Sequence, residues 1–513
     1  LAWLCVMNNP PTPQFTSEYV NVGWVSVMPI RTFSSPLNSN EIMIYSSGWN
    51  YVTVSDSLGC IANDSVYVNV KISGCTDSNA LNYNPFAECN DSLECCYIVG
   101  CTDPMASNYD ANACYNNNSC LYLVNNISQN TGYSVIQTAI DSSNNGDTII
   151  VSNGTYFENI NLNGKNIVLA SGYLLNNDTS LISQTVIDGG GIHGVIEIES
   201  GENSSCQIYG LTIQNGSFNG MSLSPSGGGI SIVNSSPTIS YCKIKNNYAF
   251  YSGGGVYAEY SNSTFNNCNF INNTANHEGG GVSVSYSDII FNSCLFEGNI
   301  SNLGGGGARF LFSKINMNNS IVNNNFSSDY GGGIYISDFD TINFLNNKIT
   351  NNNSLYGGGI AVQTASYVII ENNLISNNFA TFHGGGILNN NSATILINSS
   401  TIASNISNSL GGGISSYSST TNLSNSIVAL NNSPIGSEIM LREFSYLFLE
   451  YSNVFGGSTS IEQNFGGTVP STLSLGNGNI YNNPQFFDIF NKDYRLSNFS
   501  PCIGAGDPSL SPT

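Results

Sequence analysis

The sequence is short of charge, and shortest of positive charge. Its 513 residues carry 11 Lys and Arg against 33 Asp and Glu, a net charge of −22, and charged residues make up only 9% of the chain. Such a chain repels phosphate backbones and anionic lipid, which excludes nucleic acid and membrane surfaces as partners. No apolar run approaches the roughly 20 residues that span a bilayer, so membrane insertion of this chain is not expected. Histidine is almost missing, with only His193, His277 and His383. Neutral polar groups therefore have to cover the surface, and Asn, Ser, Thr and Gly do so. The acidity fits a secreted, extracellular or cell-surface protein, or one that collects cations. Leu1–Met7 is apolar but too short for a secretion signal, and no basic segment precedes it, so the chain is expected to begin inside a longer precursor.

Cysteine is plentiful by contrast, and crowded. Of 14 residues, seven (Cys75, Cys89, Cys95, Cys96, Cys101, Cys114 and Cys120) fall between 75 and 120. That density reads as disulfides made in an oxidising compartment. Zinc is the weaker reading, because the stretch holds neither a CxxC pair nor a histidine.

Composition divides the chain into five regions: 1–73, 74–122, 123–226, 227–455 and 456–513. The first carries alternating strand patterns, Tyr51–Val54 and Ser65–Val70, joined by a turn at Leu58-Gly59-Cys60, as a β-hairpin of a sandwich domain would. Its phrase YVTVSDSLGCIANDSVYVNV resembles the last strands of immunoglobulin-like modules in surface proteins of Bacteroidota. The second region holds two copies of one motif, GCTDSNALNYNPFAECNDSLECCY and GCTDPMASNYDANACYNNNSCLY. They resemble small Cys-rich modules of secreted proteins from marine Bacteroidota. The first copy has an additional cysteine, so the pairing stays open. These modules read as disulfide-stapled spacers. The alternative is a calcium loop using Asp77 and Asp103, although the spaced Asp-x-Asp-x-Asp-Gly pattern is absent. No other cofactor is expected.

In the third region, Val135–Ser142 puts Ile136, Ala139 and Ile140 on one helical face. Such a helix would cap the open end of a first coil. With the strands that follow, the run IQTAID…GDTIIV…GTYFENI…GKNIVL resembles the start of the pectate-lyase and pectin-esterase superfamily, which implies a right-handed parallel β-helix.

Glycine triplets then begin at Gly227, Gly253, Gly279, Gly305, Gly331, Gly357, Gly384 and Gly411, spaced 26 or 27 residues apart. A fixed period of this kind marks a solenoid. It predicts an all-β chain with about twelve coils between Ile149 and Phe455, each of three strands and three turns. The third and fifth positions after the first glycine are apolar (Ile230/Ile232, Val256/Ala258, Val282/Val284) and should point inward. The position between them (Ser231, Tyr257, Ser283, Arg309, Tyr335, Ala361) should face solvent. Two further inward columns are Ile239, Phe265, Phe291, Met317 and Ile244, Phe270, Phe296, Val322. A polar column of Asn247, Asn273, Asn299 and Asn325, continued by Asn351 and Asn377, can hydrogen-bond from coil to coil. Cys242, Cys268 and Cys294 share another position, followed by Ser320, Asn346 and Asn372, and are expected to be reduced and buried. Glycine suits a corner whose backbone angles a Cβ forbids. The pairing of GGG(I/V) with (F/I)xxN over about 205–435 resembles the repeats of chlamydial-type polymorphic outer-membrane adhesins. The closing NPQFFDIFNKDYRLSNFSPCIGAGDPSL is similar to the ends of secreted bacterial β-helix proteins.

Little in the sequence carries chemistry. A polysaccharide lyase on this fold needs clustered acids and a Lys or Arg base on adjacent coils. The candidates that come nearest are Asp288, Lys314 and Asp340. The pectin-esterase resemblance ends at GTYFEN, since the later catalytic segments have no counterpart. His277 and His383 sit four coils apart, too far for one metal, and with His193 read as turn residues. Tyr260, Tyr286 and Phe312, at one position on successive coils with Tyr257 close by, form an aromatic strip that could dock a glycan. The leading expectation is a non-enzymatic extracellular adhesin or matrix protein that meets a polysaccharide or cell-surface ligand. A polysaccharide lyase, or a filament subunit that self-associates, are the alternatives.

Overall fold

The computed structural model describes residues 22–28, 48–56, 61–68, 73–90, 95–102, 106, 108–117, 119–120, 123–218, 227–463 and 469–509. The chain forms two compact units, Leu1–Leu121 and Tyr122–Thr513.

In the first unit, Val22–Met28, Gly48–Asp56 and Ile61–Val68 make a three-stranded antiparallel sheet in chain order. The two predicted strands fall in its second and third members; the turn at 58–60 lies outside the described residues. The two cysteine modules then repeat one layout. Ser73–Gly74 pairs with Cys89–Asn90 in the first, and Val99–Gly100 with Tyr115–Asn116 in the second. Disulfides join Cys75 to Cys95 and Cys101 to Cys120 within the modules, and Cys96 to Cys114 between them. The additional cysteine of the first copy is thus the one that staples the second. The Cys89 side chain lies outside the described residues. Peptide mapping without reductant is expected to recover a Cys96–Cys114 cross-linked pair; recovery of both as free thiols would contradict this arrangement.

The second unit is a parallel β-helix. A coil such as Gly253–Glu278 holds four strands, Val256–Glu259, Thr264–Asn266, Asn269–Ile271 and Thr274–Ala275. Each pairs in parallel with its counterparts one coil away: Val282 bonds alongside both Val256 and Ala308. The first and third strands each build a 12-stranded sheet, the second a 15-stranded sheet and the fourth an 8-stranded one. The fourth strand was not foreseen; at two residues in most coils it is too short to show a period.

The inward columns are fully buried as their alternation requires, from Ile230, Val256 and Val282 to the stacked Phe265 and Phe291. Each such side chain contributes about 1.5–3 kcal/mol by leaving water. Cys242, Cys268 and Cys294 lie among them as free thiols, and the Cys268 thiol donates to the Ile239 carbonyl at 3.3 Å. At one end the helix Ile136–Ser142 buries Ile136, Ala139 and Ile140. Its first amides, Ile136 N and Gln137 N, donate to the Glu158 carboxylate at 2.9 and 3.0 Å. Glu158 of GTYFEN therefore caps a helix whose own N-cap residue, Val135, has no side-chain acceptor.

The glycine triplets serve two purposes. From Gly253 to Gly411 the first glycine has positive φ, between 60° and 74°. The other two are required by close approach: a Cβ on Gly280 would lie 2.3 Å from the Ile300 carbonyl oxygen, and one on Gly281 2.4 Å from that of Gly307 and 3.1 Å from the Asn299 side chain. The third glycine thus makes room for the asparagine column. That column runs Asn247, Asn273, Asn299, Asn325, Asn352, Asn378, Asn405 and Asn431, each amide donating to the next side-chain oxygen. The expected continuation through Asn351 and Asn377 is off by one. A second left-handed residue at the Asp338-Phe339 corner lengthens that part of the coil, and Asn351 and Asn377 occupy left-handed turn positions instead. The same shift replaces Asn346 and Asn372 by Asn347 and Asn373 in the column begun by the thiols.

One expected orientation is wrong. The residues between the inward positions of the first strand do not face solvent: Ser231, Tyr257, Ser283, Arg309 and Ala361 are buried. The residues just before each triplet (Ser252, Glu278, Gly304, Tyr330, Tyr356) form their own ladder of bridges and lie over that face. Tyr335 packs where a Gly304 side chain would stand, 2.4 Å from its ideal Cβ, and Arg309 pairs with Glu278 at 3.0 Å. The solenoid therefore has a polar outer layer besides its apolar core.

Candidate functional site

After the first strand the coil turns through a residue in left-handed conformation. Four coils supply residues that suit it or are small there, Asn234, Thr364 with Ala365, Asn391 with Ser392, and Ser418, and a later one uses Glu443 with Phe444. Four successive coils instead use aromatics, Tyr260 (φ 50°), Tyr286 (49°), Phe312 (47°) and Phe339 (66°). A bulky side chain in this region is disfavoured by about 1–2 kcal/mol, and Asn tolerates it better. The four rings stack face to face along the rod, with centroids 5.3, 5.0 and 6.4 Å apart and interplanar angles of 17°, 11° and 14°. They stay exposed, by 55%, 45%, 41% and 66%. An ordinary stacked core pair hides its faces; these rings present a continuous apolar edge to water.

Beside the rings runs an open cleft of about 410 Å³, lined by Tyr286, Phe312 and Phe339 and by Asn262, Asp288 and Lys314. Lys314 Nζ lies 3.6 Å from Asp288 Oδ2, both half exposed. Asp340 does not join them. Its oxygens accept backbone amides of Ser313 and Ser337, it is 1% exposed, and burial pushes its carboxyl up to about 7. The candidate trio is therefore a surface ion pair and a separate buried turn-holding acid.

Tyr257 leaves the strip as well. It is 3% exposed, in the outer layer, where burial pushes its phenol up. Phe339 takes the vacated fourth place. Counting from the triplet missed it because Asp338 occupies the expected position; the signal was the extra corner residue in SDFDTINF.

The remaining candidates are dispersed. Asp77 accepts from Asn79 N, Asn79 Nδ2 and Tyr97 OH at 2.9, 3.1 and 2.8 Å, which hold its carboxyl below the usual range, the Asn79 amide most. Asp103 lies outside the described residues. Among those residues no three His, Cys, Asp or Glu side chains gather as metal ligands. His277 packs on the Tyr251 ring, 5.1 Å between centroids, and His383 on Tyr356 at 5.6 Å. No helix among the described residues is long and apolar enough to cross a membrane.

Fold and ladder together define the class: an all-β parallel solenoid whose one corner carries stacked, exposed aromatics. No protein-family model and no curated protein matches the chain. Among solved structures it is similar to a mannuronic acid specific polysaccharide family 6 lyase from human gut microbiota, at 10% identity over 65% of this chain and 86% of that one, with a TM-score of 0.29.

Proposed function

We propose that the protein is an extracellular, non-catalytic carbohydrate-binding β-helix of the adhesin or matrix kind, and that the ring ladder docks a glycan chain. The observation that carries the reading is the choice of aromatics at four consecutive corners where Asn, Ser, Thr or Ala serves in four other coils. Sugar rings present apolar C–H faces, and the continuous apolar edge of the exposed ring row offers them a contact surface. The three disulfides among the described residues are compatible with an oxidising exterior. The non-catalytic part is supported by Asp340, which is engaged by backbone amides rather than placed beside Lys314.

Replacing Phe312 and Tyr286 by Asn separates binding from packing. Asn accepts the left-handed corner, so the melting temperature is expected to hold or rise. Affinity for the bound member of a neutral oligosaccharide panel, measured by calorimetry, is expected to fall about tenfold or more, the equivalent of about 1.4 kcal/mol. A lowered melting temperature with unchanged affinity would make the rings structural. Release of shortened products from the panel, with or without calcium, would overturn the non-catalytic reading.

A further inference from the structure

The polar outer layer changes character along the rod. In the earlier coils its floor alternates short and long side chains, Ser231, Tyr257, Ser283 and Arg309, and then Tyr335. In the later ones the same column holds Ala361, Leu388, Ser415 and Met440, with no ring or guanidinium. The layer opens there into a cleft of about 220 Å³. One wall is the pre-triplet ladder, Tyr330, Tyr356 and His383, bridged in succession. The other is the column that ends the first strand, Asn390, Tyr417 and Arg442, also paired coil to coil.

Three residues lining this cleft each carry a buried side-chain atom without a hydrogen-bond partner: His383 Nδ1, Asn390 Oδ1 and Arg442 Nε. Buried groups of this kind are satisfied in nearly all native sites, so three at one place ask for a partner from outside the chain. Arg442 is the most telling. Arg309, in the same layer, pairs with Glu278 and Ser285. Arg442 has no ion pair among the described residues, although the chain has three acids for each base; its guanidinium lies 5.5 Å from the centre of the Tyr417 ring. The neighbouring Glu443 is occupied, accepting from the Tyr417 hydroxyl at 3.0 Å.

These groups specify a ligand. A guanidinium with a free fork recognises an oxyanion, carboxylate or sulfate. The rims of the flanking tyrosines give apolar contact to a sugar ring, their faces being taken by one another, by Tyr335 and Phe382 and by the Arg442 guanidinium, and the Asn390 side-chain amide meets a sugar hydroxyl. The volume is below the roughly 300–1,000 Å³ of larger ligand sites, so it holds one unit rather than a chain. A net charge of −22 disfavours a polyanion. We propose that this cleft binds a single acidic sugar unit, its acid group on Arg442 and its ring between the Tyr330/Tyr356 and Tyr417 walls. The inference rests on the glycan-binding reading only for the ligand's being a saccharide.

Calorimetric titration with glucuronic acid, galactose 6-sulfate and glucose tests it, using the full chain and the variants Arg442→Gln, Arg442→Lys, Asn390→Asp and Phe312→Asn. At least one acidic sugar should bind one to one and glucose should not; which acid binds identifies carboxylate or sulfate as the source of the charge. Arg442→Gln should weaken that binding about tenfold or more, and Arg442→Lys should not restore it, because the fork is lost. Asn390→Asp, which sets a carboxylate against the ligand's acid, should weaken it too and serves if Arg442→Gln fails to fold. Phe312→Asn should leave it unchanged, so failure of the ring ladder and failure of the cleft read out separately. Binding of neither acid, or binding indifferent to both Arg442→Gln and Asn390→Asp, would overturn the proposal.

Discussion

Replacing Asn299 by Ala is expected to lower the stability of the solenoid by about 3–5 kcal/mol, a large fraction of what a folded domain has to spare. The Asn299 amide donates to the Phe270 carbonyl at 2.9 Å and to Asn325 Oδ1 at 3.0 Å, while its oxygen accepts the Asn273 backbone and side-chain amides at 3.0 and 3.1 Å. All of these groups are buried. Truncation strands the Asn273 backbone amide at about 1–3 kcal/mol, removes the bonds to the Phe270 carbonyl and to the two neighbouring asparagine side chains, and leaves a void against Gly281. Asn302→Ala is the matched control. That side chain also reaches one coil back, to Asn276 at 2.8 Å, but in solvent, so its loss should stay within about 0.5 kcal/mol. Urea denaturation of both variants decides; equal shifts would mean that the ladder is decoration rather than framework.

The same coupling explains which features the sequence discloses. Coil period, inward columns and the capping helix are legible because each depends on spacing alone, of glycines for the period and of apolar residues for the columns and the helix, and spacing is what a sequence records directly. Register past Asp338 is not, because an extra residue can enter one corner and leave at another without disturbing the 26-residue triplet spacing, as Asn352 and Phe339 show. The outer layer is hidden for another reason. Alternation says that Tyr257 and Arg309 point away from the core, but not that a neighbouring segment folds over them. Of the candidate site, the ring column was readable from identical positions in three coils. The cleft at Arg442 was not, since it is defined by partners that are absent nearby rather than by a motif.

The asparagine ladder ends on an acid, and this should make stability depend on pH. After Asn431 the next acceptor is not an Asn but Glu438, whose Oε2 accepts the Asn431 side-chain amide at 2.6 Å. Glu438 is 2% exposed. Burial pushes its carboxyl from the ordinary 4.5 up to about 7, against the smaller opposing pull of the Asn431 hydrogen bonds. Between those values the folded chain keeps a proton that the unfolded chain has released. The folded state binds more protons there, so the contribution of Glu438 to stability is fullest below about pH 4.5, falls as pH rises through 7 and levels off above it. A rise of this size corresponds to about 3 kcal/mol. Asp340, also raised to about 7 by burial, acts with the same sign. His383 acts against both: burial holds its imidazole below the usual range, so its contribution grows as pH rises towards 6.5. The difference between two proteins isolates the glutamate. Glu438→Gln keeps an oxygen for Asn431 and cannot ionise, so urea midpoints taken from pH 5 to 8 should fall less steeply in the variant, and above pH 7 the variant should be the more stable of the two. Parallel pH profiles for the two proteins would show that Glu438 is ionised in the fold throughout, and that the ladder closes on a buried charge.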